Sequence, residues 1–194
     1  MSKKQEIITI TRGIIHSKGY QATSISDILK AASIGKGQFY HYFSSKYDLG
    51  LAVVENLVQD LDQQLIDEIF HSKEEAKTRL NKMLDWNLAS YMETKSKLGC
   101  AIGNLAIEMS EHDETFRVKI KEFFDKWISE VTDALTEMVK QNQLDPTTDC
   151  KKNAQAIVAM IEGGILLMKN QQDIEILVHV MDIIRKQYDL RLNI

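Results

Sequence analysis

The chain has 194 residues, 44% of them hydrophobic and 27% charged, enough for one large domain or two small ones around an ordinary packed core. The net charge of −4 is unevenly spread: residues 1–47 hold seven Lys/Arg against Glu6 and Asp27, a basic head of +5 on an acidic body of −9. Two cysteines without metal-ligand spacing, no signal-peptide run at the start and no apolar stretch near ~18 residues exclude a disulfide scaffold, a metal or cofactor site and a membrane partner. The expectation is a cytoplasmic protein with reduced thiols, whose basic end suits a polyanion.

Apolar residues recur at three- and four-residue spacing along most of the chain, so the fold class is all-α, with about nine helices. The first helix is expected over Lys3–Lys18, with Ile7, Ile8, Ile14 and Ile15 inward and Gly19 at its end. Ser24 and Asp27 form a capping box that opens helix two, whose buried stripe is Ile25, Ile28, Leu29 and Ala32. Ser33-Ile34-Gly35 makes a tight turn, and helix three covers Lys36–Tyr42. Ser45 caps a long fourth helix reaching about Phe70, expected to join head and body rigidly. A fifth helix follows to about Thr94, then a loop to Gly99 and a short helix over about Ile102–Glu111. A long helix from Phe116 to Met138, the Asp145-Pro146-Thr147 loop, and two helices over about Asp149–Asn170 and Asp173–Leu190 complete the chain. The expected division is a basic head over 1–47 and a larger helical body over 48–194.

Helices two and three, joined by three residues, form a helix-turn-helix, whose second helix can enter a major groove. Its residue set fits that task. Lys36 reaches a phosphate or a guanine edge, and Gln38 carries the paired donor and acceptor for an adenine edge. Gly37 permits close approach. Tyr40 and Tyr42 offer hydroxyls to phosphates, and His41 can donate to one. Lys46, in the first turn of helix four, sits where free backbone N–H groups also favour an anion. Thr23 and Ser24, at the start of helix two, complete the expected DNA contacts, with Ser24 serving first as a cap. Phe39 and Phe43, four apart, are core residues.

At these positions the chain resembles the TetR family of bacterial transcriptional regulators. Gly19-Tyr20, Thr23-Ser24-Ile25, Ile28, Ala31-Ala32, Lys36-Gly37, Phe39-Tyr40-His41-Tyr42-Phe43, Lys46 and Leu49 carry the resemblance, which is strong over roughly the first 55 residues. Gly99-Cys100-Ala101-Ile102-Gly103-Asn104-Leu105-Ala106 is similar to a segment in one subset of the family. The resemblance implies a homodimer whose three N-terminal helices bind DNA and whose larger helical domain holds an inducer. Two positions depart from the family's pattern: Ser33 replaces the usual turn glycine and Gly35 the usual Ser/Thr cap. Ser33 is expected to be mildly strained in a left-handed conformation.

The body offers bulky, adaptable side chains for a small apolar or aromatic inducer: Trp86, Tyr91, Phe123, Trp127 and Met160, with Cys100 beside them. Each of these can equally be a core residue. Asn104 and Glu108, four apart on one helix face, are candidate polar anchors, although Glu108 could instead form a salt bridge or face water. The last two helices read as a homodimer surface. Gly163 and Gly164 lie among small and apolar residues, and the final helix is apolar around most of its girth. The reading is therefore a ligand-responsive repressor that binds a palindromic double-stranded DNA operator. The competing readings are a helical protein-interaction module and a small all-α enzyme without DNA binding. No Ser/His/Asp spacing, glycine-rich phosphate loop or His/Cys cluster favours an enzyme, and His112-Asp113 reads as a helix-start turn.

Overall fold

The computed structural model describes residues 1–92 and 98–190; the expected end of helix five at Thr94 and the loop residues 95–97 lie outside the described residues. Among the described residues there are nine α-helices and no strands: α1 Lys3–Lys18, α2 Ile25–Ala31, α3 Lys36–Tyr42, α4 Lys46–Leu61, α5 Ala76–Met92, α6 Ala101–Met109, α7 Glu114–Lys140, α8 Cys150–Gln171 and α9 Glu175–Gln187. Helix α4 does not stay α-helical to Phe70. It continues as a π-helical segment, Asp62–Phe70, in which Leu65, Ile66, Ile69 and Phe70 are buried. Buried residues four apart suit either helix type, so apolar spacing could not reveal the wider turn.

The helices pack into two compact units, one of residues 1–60 and 101–121, the other of residues 61–100 and 122–194. Residues 48–194 are shared between the two units: α6 and the first turns of α7 group with α1 to α4. Ring packing is one reason. Tyr20, beyond α1, meets Phe116 of α7 at 5.0 Å, and Tyr47 of α4 meets the same ring at 5.8 Å.

In the first unit, Ile7, Ile15, Ile28, Phe39, Phe43, Leu49 and Val53 are buried, on the apolar faces of four short helices. The helix boundaries follow from local chemistry. Ser24 Oγ accepts from Asp27 N–H at 3.1 Å, and Asp27 Oδ2 accepts from Ser24 N–H at 2.8 Å, closing the capping box. Ser33 takes a φ of 51°, the left-handed conformation expected at this turn, and Ile34 N–H then donates to Leu29 C=O at 3.0 Å. Gly35 stands at the α3 cap with extended backbone and no side-chain hydrogen bond. Ser45 Oγ accepts from Asp48 N–H at 3.1 Å, which starts α4.

In the second unit α8 packs along α9. A Cβ on Gly164 would lie 3.2 Å from both Leu177 and Val180, so this glycine lets the two helices approach closely. Arg185 of α9 holds Asp85 at 2.5 Å and donates to Asn81 Oδ1 at 3.0 Å, tying the last helix to α5. No described helix is long and apolar enough to cross a membrane.

Gly50 shows how tightly the first unit is packed: a Cβ there would sit 2.5 Å from the Tyr20 ring and 3.0 Å from Phe116. Both rings are buried and have no room to retreat. Gly50→Ala is expected to destabilise the protein by about 1–3 kcal/mol, the usual cost of overpacking, despite its better helix propensity. Urea unfolding followed by circular dichroism measures it.

Candidate nucleic-acid interface

Helix α3 is held by one side and leaves the other to solvent. Phe39 and Phe43 are buried with their rings 6.0 Å apart, and Lys4 lays its ammonium 5.5 Å from the Phe43 ring centre. Opposite them, Lys36, Gly37, Gln38 and His41 are exposed, Tyr40 is 55% exposed, and Tyr42 is half-buried with its ring against His41 at 4.8 Å. Tyr40 stands edge-on to Phe39 at 5.1 Å, which limits its swing. A Cβ on Gly37 would meet nothing within 4 Å. The protein interior does not require a glycine there, and in a helix it costs ~1 kcal/mol relative to alanine.

Three other expected contacts are placed differently. Thr23, expected to contact DNA, is 1% exposed, and its hydroxyl donates to Gly19 C=O at 2.6 Å, shaping the turn before α2. Ser24 is exposed, but its hydroxyl serves the capping box. Asp27 in that box also binds Lys18 at 2.7 Å, and Lys18, followed by the Ser24 backbone and hydroxyl, holds its carboxyl well below the usual carboxylate range. Lys46 is half-buried: its ammonium donates to Gln21 C=O at 3.2 Å and lies 4.5 Å from the centre of the Tyr20 ring.

The expected inducer residues divide between the two units. Asn104 and Glu108 lie on α6 in the first; Trp86, Tyr91, Cys100, Phe123, Trp127 and Met160 lie in the second. Glu108 has backbone partners of its own. It is not an open anchor, because its two carboxylate oxygens accept from the backbone N–H groups of Tyr20, at 2.9 Å, and Gln21, at 2.7 Å. Asn104 is half-buried on α6. In the second unit Phe123 and Trp127 are buried with rings 6.2 Å apart, and the Trp127 indole N–H donates to Met83 Sδ at 3.2 Å. Trp86 and Met160 are half-buried on α5 and α8.

Tyr91 and Cys100 do come together, around a residue that sequence reading missed. The Cys100 thiol hydrogen-bonds both the Tyr91 phenol and the Glu162 carboxyl. Burial pushes Tyr91 strongly upward, and burial also raises Glu162, with the Cys100 hydrogen bond pulling the other way. The sequence signal for Glu162 was a lone carboxylate inside the apolar run Ile157–Leu167.

A tight-turned helix pair with its second helix buried on one side and polar, basic and aromatic on the other defines a helix-turn-helix DNA-binding regulator of transcription. Residues 7–53 match the profile described as bacterial regulatory proteins, tetR family, and residues 76–183 match that of the transcriptional regulator LmrA/YxaF-like C-terminal domain. The chain belongs to the TetR family of bacterial transcriptional regulators, and it is not an enzyme. It is 38% identical over 189 residues to an HTH-type transcriptional regulator in the lacX 3′ region of Lactococcus lactis subsp. lactis, covering 96% of this chain and 93% of that one. It is 25% identical to the HTH-type transcriptional repressor DhaR of Mycobacterium sp. (strain GP1), over 89% of this chain and 85% of the relative. The crystal structure of a regulatory protein TetR from Rhodobacter sphaeroides superposes with a TM-score of 0.83 at 26% identity, covering 95% of each chain.

Glu162 makes a pH prediction. Its folded pKa lies above the ordinary 4.5, so the folded state holds the proton more tightly than the unfolded one. The stability this contributes is complete below pH 4.5 and is lost as pH rises through the folded value. Glu162→Gln is expected to gain thermal midpoint over the wild type progressively above pH 4.5, with the smallest gap below it; paired melts across that range measure the difference.

Proposed function

We propose that the chain is a ligand-responsive repressor that binds a palindromic operator as a homodimer and is released by a small apolar or aromatic inducer. The observation that carries this reading is the exposed Lys36-Gly37-Gln38-Tyr40-His41 set on a helix anchored from behind by Phe39 and Phe43. Residues 1–47 form the DNA-reading segment, and residues 48–194 supply the inducer site and the dimer surface. The DhaR relative, named a repressor, supports the direction of control.

The dimer surface falls on α8 and α9. Leu166 is 53%, Leu167 49% and Ile183 55% exposed, large apolar side chains that a second copy would cover. Gly163, unlike Gly164, has open space where a Cβ would be, which suits close approach of a partner helix. The inducer site draws on Trp86, Tyr91, Phe123, Trp127 and Met160, with Cys100 and Glu162 as polar partners. To turn a 1:99 mixture of states into 99:1, an inducer must prefer the released state by about 5.5 kcal/mol.

Fluorescence anisotropy with the protein's own upstream DNA tests the reading, and absence of specific, salt-sensitive binding overturns it. Lys36→Ala is expected to weaken binding across sequences and to lower the salt slope by about 1 if it contacts a phosphate. Gln38→Ala is expected to cost about 1–3 kcal/mol at one base position and to relax discrimination there. Ile183→Glu places a charge in the dimer surface; sedimentation is expected to show monomers, with operator affinity falling about tenfold or more.

A further inference from the structure

The turn between α1 and α2 is held by side chains from two distant helices. Gly19 N–H closes α1 on Ile15 C=O at 2.8 Å, and Thr23 Oγ1 donates to Gly19 C=O at 2.6 Å. Between them, the Tyr20 and Gln21 N–H groups point to one carboxylate, that of Glu108, 88 and 87 residues away on α6. Gly19 suits the contact on two counts: its φ is +89°, and a Cβ would lie 3.1 Å from Glu108 Oε1. From α4, Lys46 donates to the carbonyl of the same Gln21 and covers the Tyr20 ring. Burial lowers the Lys46 ammonium's pKa, and the charge of Glu108 opposes that shift. The turn leads directly into Ser24, the cap of the first helix of the DNA-reading pair.

We propose that Glu108 is a positioning residue for DNA reading: its carboxylate clasps the Tyr20–Gln21 backbone and thereby sets the start of α2 and the place of Lys46, without touching DNA itself. This rests on the operator-binding reading above. Charge-assisted bonds to two consecutive backbone N–H groups are stronger than neutral ones and define a direction. A neutral amide at this position could accept from one N–H but would turn its own NH₂ toward the other.

The sign of the effect separates this role from simple electrostatics. Removing a negative charge beside a basic head should tighten DNA binding by Coulomb's law alone. The clasp predicts the reverse. In Glu108→Gln, affinity for the protein's own upstream DNA is expected to fall about tenfold, the scale of an ordinary coupling between linked sites. Its salt slope should stay at the wild-type value, because no phosphate contact is lost. Amide exchange at Tyr20 and Gln21 should quicken while that of Phe39 and Phe43 does not. Glu108→Asp, which keeps the charge, is expected to recover part of the affinity.

Binding is measured well below the variants' thermal midpoints, so that loss of fold is not mistaken for loss of the clasp. Wild-type binding with an unchanged or tighter Glu108→Gln complex overturns the inference alone. A wild-type chain that binds no upstream DNA specifically overturns the regulator reading and this inference with it.

Discussion

Two consecutive backbone N–H groups just beyond α1, those of Tyr20 and Gln21, are taken by one carboxylate, and the first unit is arranged around that contact. The Tyr20 amide is partly buried, where an unpaired N–H costs about 1–3 kcal/mol, whereas that of Gln21 is exposed. The carboxylate is that of Glu108, which brings α6 to the turn. Phe116 follows, packing its ring on Tyr20, and Gly50 of α4 has no side chain because those two rings occupy the space. One carboxylate therefore ties α6 to the turn, and one aromatic pair limits how close α4 comes. The recognition helix depends on this frame: α3 has only seven residues, too few to be stable alone, and stays helical because Phe39 and Phe43 are buried in the unit.

The exposed face of α3 follows from the same constraint. With both phenylalanines committed to the interior, helical geometry turns Lys36, Gly37, Gln38, Tyr40 and His41 outward together. A solvated helix has no need of a glycine in its first turn or of clustered aromatics beside it. The second unit answers a different requirement. Among its described residues the buried Trp127 indole meets a methionine sulfur, the buried Asn87 amide donates to Met83 C=O, and the half-buried Glu162 meets a thiol and lies near a phenol. A carboxyl held with so few partners keeps its proton more readily than an ordinary glutamate, which makes the cluster responsive to what approaches it.

Much of the fold was legible in advance because it is local. The capping box at Ser24 and Asp27, the left-handed Ser33 and the bounds of α1 and α3 need only residues within a few positions of one another. The exposure of Lys36, Gly37, Gln38, Tyr40 and His41 was legible for the same reason. The burial of Thr23 was not legible because its neighbours in sequence do not show that Gly19 C=O would take its hydroxyl. The clasp made by Glu108 was not legible because its partners lie 88 and 87 residues away, and no spacing rule reaches that far. The π-helical segment was invisible because both helix types accept apolar residues four apart.

By itself the sequence determined the helix count, the helix-turn-helix, the core role of Phe39 and Phe43 and the outward set on α3, since periodicity and capping act over one or two turns. Only the tertiary structure decided that α6 joins the DNA-reading helices, that Glu108 clasps a turn, that Thr23 is buried, that Gly164 serves the crossing of α8 and α9 while Gly163 opens outward, and that Glu162 meets Cys100 and Tyr91. Each of these depends on which distant side chain satisfies a donor or fills a space, and the chain must fold before that partner exists.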